Sequence, residues 1–149
     1  TTFLRKLRAE SPKRMIVLAP TGIAAINAGG VTIHSFFQLP FAPFIPDTTF
    51  NTEQKHFRFS KEKINIIRSM DLLIIDDLGT EFATMFTASE LFRIVNDRKL
   101  RKRPVVISTN LDYRALMEQY SDRVMSRLIG EYTTLKFFGD DIRMKKKYR

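Results

Sequence analysis

The strongest chemistry in this sequence lies at Leu72-Leu73-Ile74-Ile75-Asp76-Asp77, where an unbroken aliphatic run ends in two adjacent carboxylates. Such a pair at the end of a strand suits hydrolysis of a magnesium-bound nucleotide. The first carboxylate holds the ion, usually through water, and the second orients or deprotonates the attacking water. The string also has a plainer reading, because Asp-Asp-Leu-Gly is good turn chemistry and the pair could cap a strand before a turn at Gly79. The apolar run favours the chemical reading, since ligands of open α/β sheets bind beyond the carboxyl ends of the strands.

Three other groups could complete such a site. Ser108-Thr109-Asn110 ends a second apolar run, and would bring Asn110 beside the carboxylates to hold the attacking water if the two strands are neighbours. Asn110 or Asp112 could equally be the N-cap of a helix starting at Tyr113. Arg123 and Arg127, four apart in Asp122-Arg123-Val124-Met125-Ser126-Arg127-Leu128, share a helical face. They could neutralise a γ-phosphate held by a neighbouring subunit, or form a solvated basic face paired with Asp122. Arg143, in Gly139-Asp140-Asp141-Ile142-Arg143, is as ambiguous, and the basic tail from Arg143 to Arg149 is either a nucleic-acid contact or a frayed terminus.

The first half carries groups of another kind. In Ala19-Pro20-Thr21-Gly22 the Thr21 hydroxyl and the free amides of a helix start could take a phosphate of a DNA backbone, although an ordinary βα turn with Thr21 as N-cap needs no ligand. Thr32-Ile33-His34-Ser35-Phe36-Phe37 follows. His34 could bond a phosphate, and Phe36 or Phe37 could stack a base or simply fill the core.

The elements that must position these groups alternate. Strands are expected at Met15 to Ala19, Leu72 to Asp76, Val105 to Thr109 and Thr133 to Phe138, the first three as nearly continuous apolar runs that fit a parallel sheet buried on both faces. Helical patterns run from Phe3 to Arg8, Gly22 to Asn27, Lys61 to Ser69, Ala88 to Arg101, Tyr113 to Gln119 and Asp122 to Ile129. The fold class is therefore α/β, as one domain over residues 1–149. Leu39 to Phe59, with Pro40, Pro43 and Pro46 among phenylalanines, reads as an ordered insertion or lid.

A net charge of +9 and a pI near 10.0 favour a polyanionic partner. With no cysteine and two histidines, a disulfide framework, a thiolate site and a histidine metal site are poor expectations. No apolar run reaches the roughly 18 residues of a membrane span, so a cytoplasmic, nucleoid-associated location is expected.

In the phosphate-binding-loop (P-loop) NTPases, a strand ending like Ile75-Asp76 meets the magnesium of a nucleotide whose phosphates rest on a GxxxxGK[ST] loop. No Gly-Lys dipeptide occurs in these 149 residues. The opening Thr1-Thr2-Phe3-Leu4-Arg5-Lys6-Leu7 reads as a helix cut just after the lysine of that loop, with Thr1 in the [ST] place and Thr1 and Thr2 next to the nucleotide. The strand feeding such a loop lies in the middle of the sheet. The expectation is thus a P-loop sheet lacking the strand and loop that precede residue 1, with open edges on the flanking strands and weak stability unless a partner fills the slot.

Two families are resembled. APTGIAAINAGGVTIHSFF and FRFSKEKINIIRSMDLLIID, from Thr1 to about Asp76, resemble the Pif-type (petite integration frequency) DNA helicases of superfamily one. That resemblance implies a RecA-like domain in which Pro20-Thr21-Gly22 and Thr32 to Ser35 face single-stranded DNA. In those helicases Glu follows the magnesium aspartate, where this chain has Asp77. From about Asp71, LLIIDDLGTEF, VVISTNLDYRAL, YSDRVMSRLIGEY and FFGDDIR resemble the DnaC, DnaI and IstB group of AAA+ ATPases, which load replicative helicases or assist transposases. It implies Asp76 and Asp77 as the Walker B pair, Asn110 as first sensor, Arg127 as arginine finger with Arg123 beside it, and Arg143 as second sensor. Glu81 matches the GTE string of that group without an assigned role.

Both families spell the strand at Asp71 to Asp77 alike, so the chain reads as a composite joined there, whether recombinant, engineered or generated. The expected function is an ATP- and Mg2+-dependent ATPase of DNA replication that acts on single-stranded DNA, impaired in hydrolysis for want of the loop. Expected partners are single-stranded DNA, a replicative helicase or transposase, and further copies of the chain meeting through Arg127. Two alternatives stand beside it: a nucleotide-independent single-stranded-DNA-binding module, and a helicase fragment that another chain completes.

Overall fold

A computed structural model describes residues 2–38, 60–79, 85–120 and 122–139, except the side chains of 85–87 and 123. Thr1, Glu81, the expected insertion from Leu39 to Phe59 and the basic tail from Arg143 to Arg149 therefore lie outside the described residues, as does the Arg123 side chain.

One parallel sheet organises the chain. Its strands β1 (Met15–Ala19), β2 (Val31–Thr32), β3 (Leu72–Leu78) and β4 (Val105–Thr109) lie in the order β2-β1-β3-β4. β3 is paired along both edges, Ile74 opposite Val17 on one side and Val106 on the other. This is why Leu72 to Ile75 carry no polar residue: both faces of a central parallel strand are covered. Side chains alternate between two cores, as the period of a strand requires. Leu72 and Ile74 pack with Val17, Ala28 and Leu4 of helix α1 (Thr2–Glu10). Leu73 and Ile75 join the larger core on the other face.

That larger core collects the remaining helices. Ile33 and Phe37 come from α3 (Ile33–Phe37), Ile64 and Ile67 from α4 (Lys61–Ser69), and Leu91, Ile94 and Val95 from α5 (Met85–Leu100). Leu116 and Tyr120 of α6 (Tyr113–Tyr120) and Met125 of α7 (Asp122–Glu131) complete it. α2 (Gly22–Ala28) covers the other face through Ala28. Hydroxyl and carboxylate caps start several of these helices by accepting an otherwise unpaired amide: Thr21 from Ala24, Thr32 from Ser35, Ser60 from Lys63 and Asp112 from Ala115. Between α2 and β2 the chain lies so close to β1 that a Cβ on Gly30 would stand 2.3 Å from the Val17 carbonyl oxygen.

The six expected helices and three of the four expected strands form. Two differences are informative. β2 and α3 were not expected, because a two-residue strand running straight into a five-residue helix is too short for either periodicity to register. The strand expected at Thr133 to Phe138 does not form: residues 133–139 have no regular structure, and Leu135, Phe137 and Phe138 are 71%, 91% and 90% exposed. Apolar alternation makes a strand only where another strand supplies its hydrogen bonds. Among the described residues, β4 pairs with β3 alone and its outer edge has no strand beside it.

The amino edge of the sheet is tied by side chains. Arg98, fully buried, donates to the carbonyls of Ile67 and Met70 at the end of α4, to that of Asp71 before β3, and to that of Pro104 before β4. Its Nε is buried without a partner, and burial lowers its pKa. Asp71 accepts from the Arg14 amide and guanidinium and lies 3.4 Å from Arg103. Asp97 accepts two bonds from Arg68, at 3.0 and 2.9 Å, and a third from Arg101.

Candidate functional site

At the opposite, carboxyl edge, β3 continues past the carboxylates to Leu78 instead of ending at Asp76. Its pairing with β4 slips between Ile75 and Leu78, and Asp77 takes a left-handed φ of 60°. This is bulge geometry, which re-aims side chains at the end of a strand, and Asp is among the few residues that adopt it readily. The turn then closes at Gly79, whose φ of 100° excludes other residues and where an added Cβ would stand 2.3 Å from Leu111. The Gly79 turn is thus present just past the pair, and Asp76 and Asp77 lie near the carboxyl end of β3 and are partly accessible.

β4 is the neighbour of β3 that Asn110 requires, with Leu78 opposite Thr109. The Ser108 hydroxyl donates to Asp76 Oδ1 at 2.6 Å and accepts the Asp77 amide at 3.0 Å. Thr109 Oγ1 donates to the Leu78 carbonyl at 2.7 Å and accepts the Leu111 amide at 3.1 Å. The cap of α6 is Asp112, which leaves Asn110 exposed at the end of β4 and free of the capping role. Sequence reasoning quoted Ser108 only as part of its string. Its signal was the offset: on neighbouring parallel strands that end together, a hydroxyl one turn of pleat before Asn110 falls beside the carboxylates.

The other expected residues are dispersed. Arg127 on α7 is exposed and rests its guanidinium over the Phe92 ring of α5, 5.7 Å from the centroid. Thr2 is exposed in the first turn of α1. Of the residues expected to face DNA, Pro20 is buried, the Thr21 and Thr32 hydroxyls serve as caps, Gly22 and Ser35 are exposed, and His34 is partly buried. Phe37 is 5% exposed in the core, so it supplies no stacking platform, and this corrects the expectation for that ring. Phe36 is half-buried, edge-on to Phe37 at 4.9 Å, with Lys63 Nζ 5.1 Å from its centroid.

The donor set suits a nucleotide-bound magnesium ion better than a resident metal. Among the described residues, no three His, Cys, Asp or Glu side chains gather into a metal site. Magnesium on a nucleotide needs only one or two carboxylates, the rest of its shell being water and phosphate, and Asp76 with Asp77 supplies that number. Among the described residues no helix is long and apolar enough to cross a membrane.

The α/β four-stranded parallel sheet flanked by helices matches the fold of P-loop NTPase structures. The AMPPCP-bound DnaA of Aquifex aeolicus shares it, with a TM-score of 0.54 at 20% identity over 96% of this chain and 38% of that one. No protein-family profile matches the chain. Its sequence is distantly similar to DNA helicases and helicase loaders. The replicative helicase loader DnaC of Buchnera aphidicola (subsp. Baizongia pistaciae) is 32% identical over 83 residues, 55% of this chain and 34% of that protein. The ATP-dependent DNA helicase Pif1 of Bdellovibrio bacteriovorus is 37% identical over 77 residues, 52% of this chain and 16% of the helicase. Pif1 of Campylobacter jejuni aligns with 97% of this chain at 25% identity, across 32% of its own length. This chain therefore spans about a third or less of these relatives, and similarity to Pif1 does not stop at Asp77. A Pif1 helicase from Bacteroides, 34% identical over 72% of this chain and 25% of that one with a TM-score of 0.45, has been crystallised with ADP-AlF3 and single-stranded DNA.

Proposed function

We propose that this chain is the core of a P-loop ATPase of DNA replication that works on single-stranded DNA. It is similar to both helicase loaders and Pif-type helicases, the loader likeness lying mainly in its catalytic half and the Pif likeness mainly in its first half. The observation that carries the reading is the carboxylate pair at the end of central β3 with Ser108-Thr109-Asn110 alongside on β4. In this reading Asp76 holds the magnesium of ATP through water, Asp77 orients the attacking water, and Asn110 senses the γ-phosphate. Magnesium would supply charge neutralisation at the phosphates. Arg127, with Arg123 beside it, reaches a nucleotide on a neighbouring copy, and its exposure suits that role. Arg143 is the second sensor. Thr21, Gly22, Thr32, His34, Ser35 and Phe36 face single-stranded DNA, in a protein of the cytoplasm and nucleoid whose partner is a replicative helicase or transposase.

The phosphate cradle, absent from these residues, belongs on a strand beside the outer edge of β4 that leads into α1. Two features support this position: among the described residues that edge has no strand beside it, and the apolar Leu135, Phe137 and Phe138 lie exposed. Residues 1–149 by themselves then bind nucleotide poorly and hydrolyse it slowly.

Magnesium-dependent titration with a fluorescent ATP analogue tests the reading, on residues 1–149 and on a version extended N-terminally by a strand and a loop ending GTGK. Binding confined to the extended version, and lost in it with Asp76→Asn, is the expected result. No binding by either defeats the ATPase reading and leaves a nucleotide-independent DNA-binding module, which the charge of +9 would favour.

A further inference from the structure

We propose that Ser108 is a positioning residue for the carboxylate pair, acting through a single hydroxyl that serves both aspartates; the proposal rests on the magnesium reading of Asp76. A serine hydroxyl has one proton to give and lone pairs to receive. Here the proton goes to Asp76 Oδ1 at 2.6 Å, the short distance of a bond to a charged acceptor, while a lone pair takes the Asp77 amide at 3.0 Å.

Each bond has its own consequence. The first fixes the Asp76 carboxylate about its side-chain torsions and occupies one oxygen, so that Oδ2 is left to face a magnesium-bound water. The second ties the backbone of Asp77 to β4 at the one place where the ladder slips, holding the left-handed φ of 60° that aims the second carboxylate. Without the hydroxyl, the Asp76 carboxylate would lose its anchor and the Asp77 backbone its tie to β4. Groups that orient a metal's ligands typically contribute 10- to 100-fold to metal affinity.

The test uses residues 1–149 labelled with nitrogen-15, with Mn2+ alone as the probe. Two quantities are read: the hydrogen-exchange rate of the Asp77 amide, and the Mn2+ concentration that half-broadens the Asp76 and Asp77 signals. In Ser108→Ala the amide is expected to exchange about tenfold faster or more, and the half-broadening concentration to rise about tenfold or more. Ser108→Thr keeps the hydroxyl and is expected to restore both. Faster exchange with an unchanged Mn2+ concentration would leave Ser108 a merely structural residue and overturn the proposal, as would unchanged exchange. If Ser108→Ala does not fold, Ser108→Cys replaces it. Its weak S–H donor is expected to give Mn2+ binding weaker than the parent's, and equality with the parent overturns the proposal. A parent chain whose Asp76 and Asp77 signals ignore Mn2+ has no ion at the pair for Ser108 to orient and overturns the proposal, whereas the magnesium reading stands or falls by the nucleotide titration of the extended version.

Discussion

The two edges of the sheet are built on opposite terms. At the amino edge the clustered charges are spent internally: Arg98 binds four carbonyls, and Asp71 and Asp97 are each bridged by two arginines. At the carboxyl edge two adjacent carboxylates of like charge stand partly accessible, on a strand that slips register and carries a left-handed residue. One edge uses polar groups to close loops, and the other leaves them partly accessible on a backbone that carries a left-handed residue. Residues that stabilise the fold and residues that suit a ligand are thereby separated by the length of a strand, and mutations at the two edges should behave differently.

The largest effect tests the clamped edge. Arg98→Ala would leave the carbonyls of Ile67, Met70, Asp71 and Pro104 without their donor and open a cavity beneath three loops. We expect a loss of about 3–5 kcal/mol in urea unfolding, the range for breaking a buried charged network. Arg98→Lys should recover little of it, because an ammonium cannot fork toward carbonyls on separate loops. A loss below about 1 kcal/mol would show that the clamp is incidental and would erase the contrast.

Arg98 also shows where the sequence was legible and where it was not. Central β3 could be read directly, since a strand covered on both faces accepts Leu72 to Ile75 without a polar residue, and the carboxylate pair stands where that apolar run stops. Arg98 does not stand out by residue type alone. Yet Leu91, Ile94, Val95 and Arg98 fall on one stripe at i, i+3, i+4 and i+7, three of them buried apolar residues, and a charge in that stripe must be buried and bonded. Thr133 to Phe138 failed for the reverse reason. Its alternation was visible, but strand formation depends on a neighbour that no local pattern reports. The left-handed Asp77 was equally hidden, because Asp-Asp-Leu-Gly fits a simple turn as well as a bulge.

Acid should act on the clamped edge, with an intermediate effect. Hydrogen bonds from Arg68, working against burial, hold the Asp97 carboxyl below the usual carboxylate range, and hydrogen bonds from Arg14 do the same for Asp71. A carboxylate whose folded pKa lies below its unfolded one adds stability that is complete above the unfolded value, near 4, and that drains away as pH falls through the folded value. The urea midpoint should therefore hold between pH 7 and 5 and decline below about pH 4. Asp97→Asn should lower the midpoint at pH 6 and flatten the decline. A variant curve parallel to the parent's would mean that the Arg68–Asp97 pair contributes nothing that acid can remove.

The smallest effect probes the strained edge, and it needs two variants of one residue. Asp77→Ala and Asp77→Gly both remove the carboxylate and every interaction the side chain makes, so the difference between them reports the backbone alone. Glycine adopts a φ of 60° without a Cβ penalty, whereas alanine must bear it. Against this, glycine gives the unfolded chain more freedom, which at an ordinary position would make it the less stable of the two by about 0.4–1 kcal/mol. At a left-handed position the order inverts. Asp77→Gly should be the more stable variant by about 1 kcal/mol in urea unfolding. If alanine proves the more stable, residue 77 is not held left-handed in solution, the slip between Ile75 and Leu78 is not a fixed feature of β3, and the carboxyl edge loses the strain that sets it apart from the clamped one.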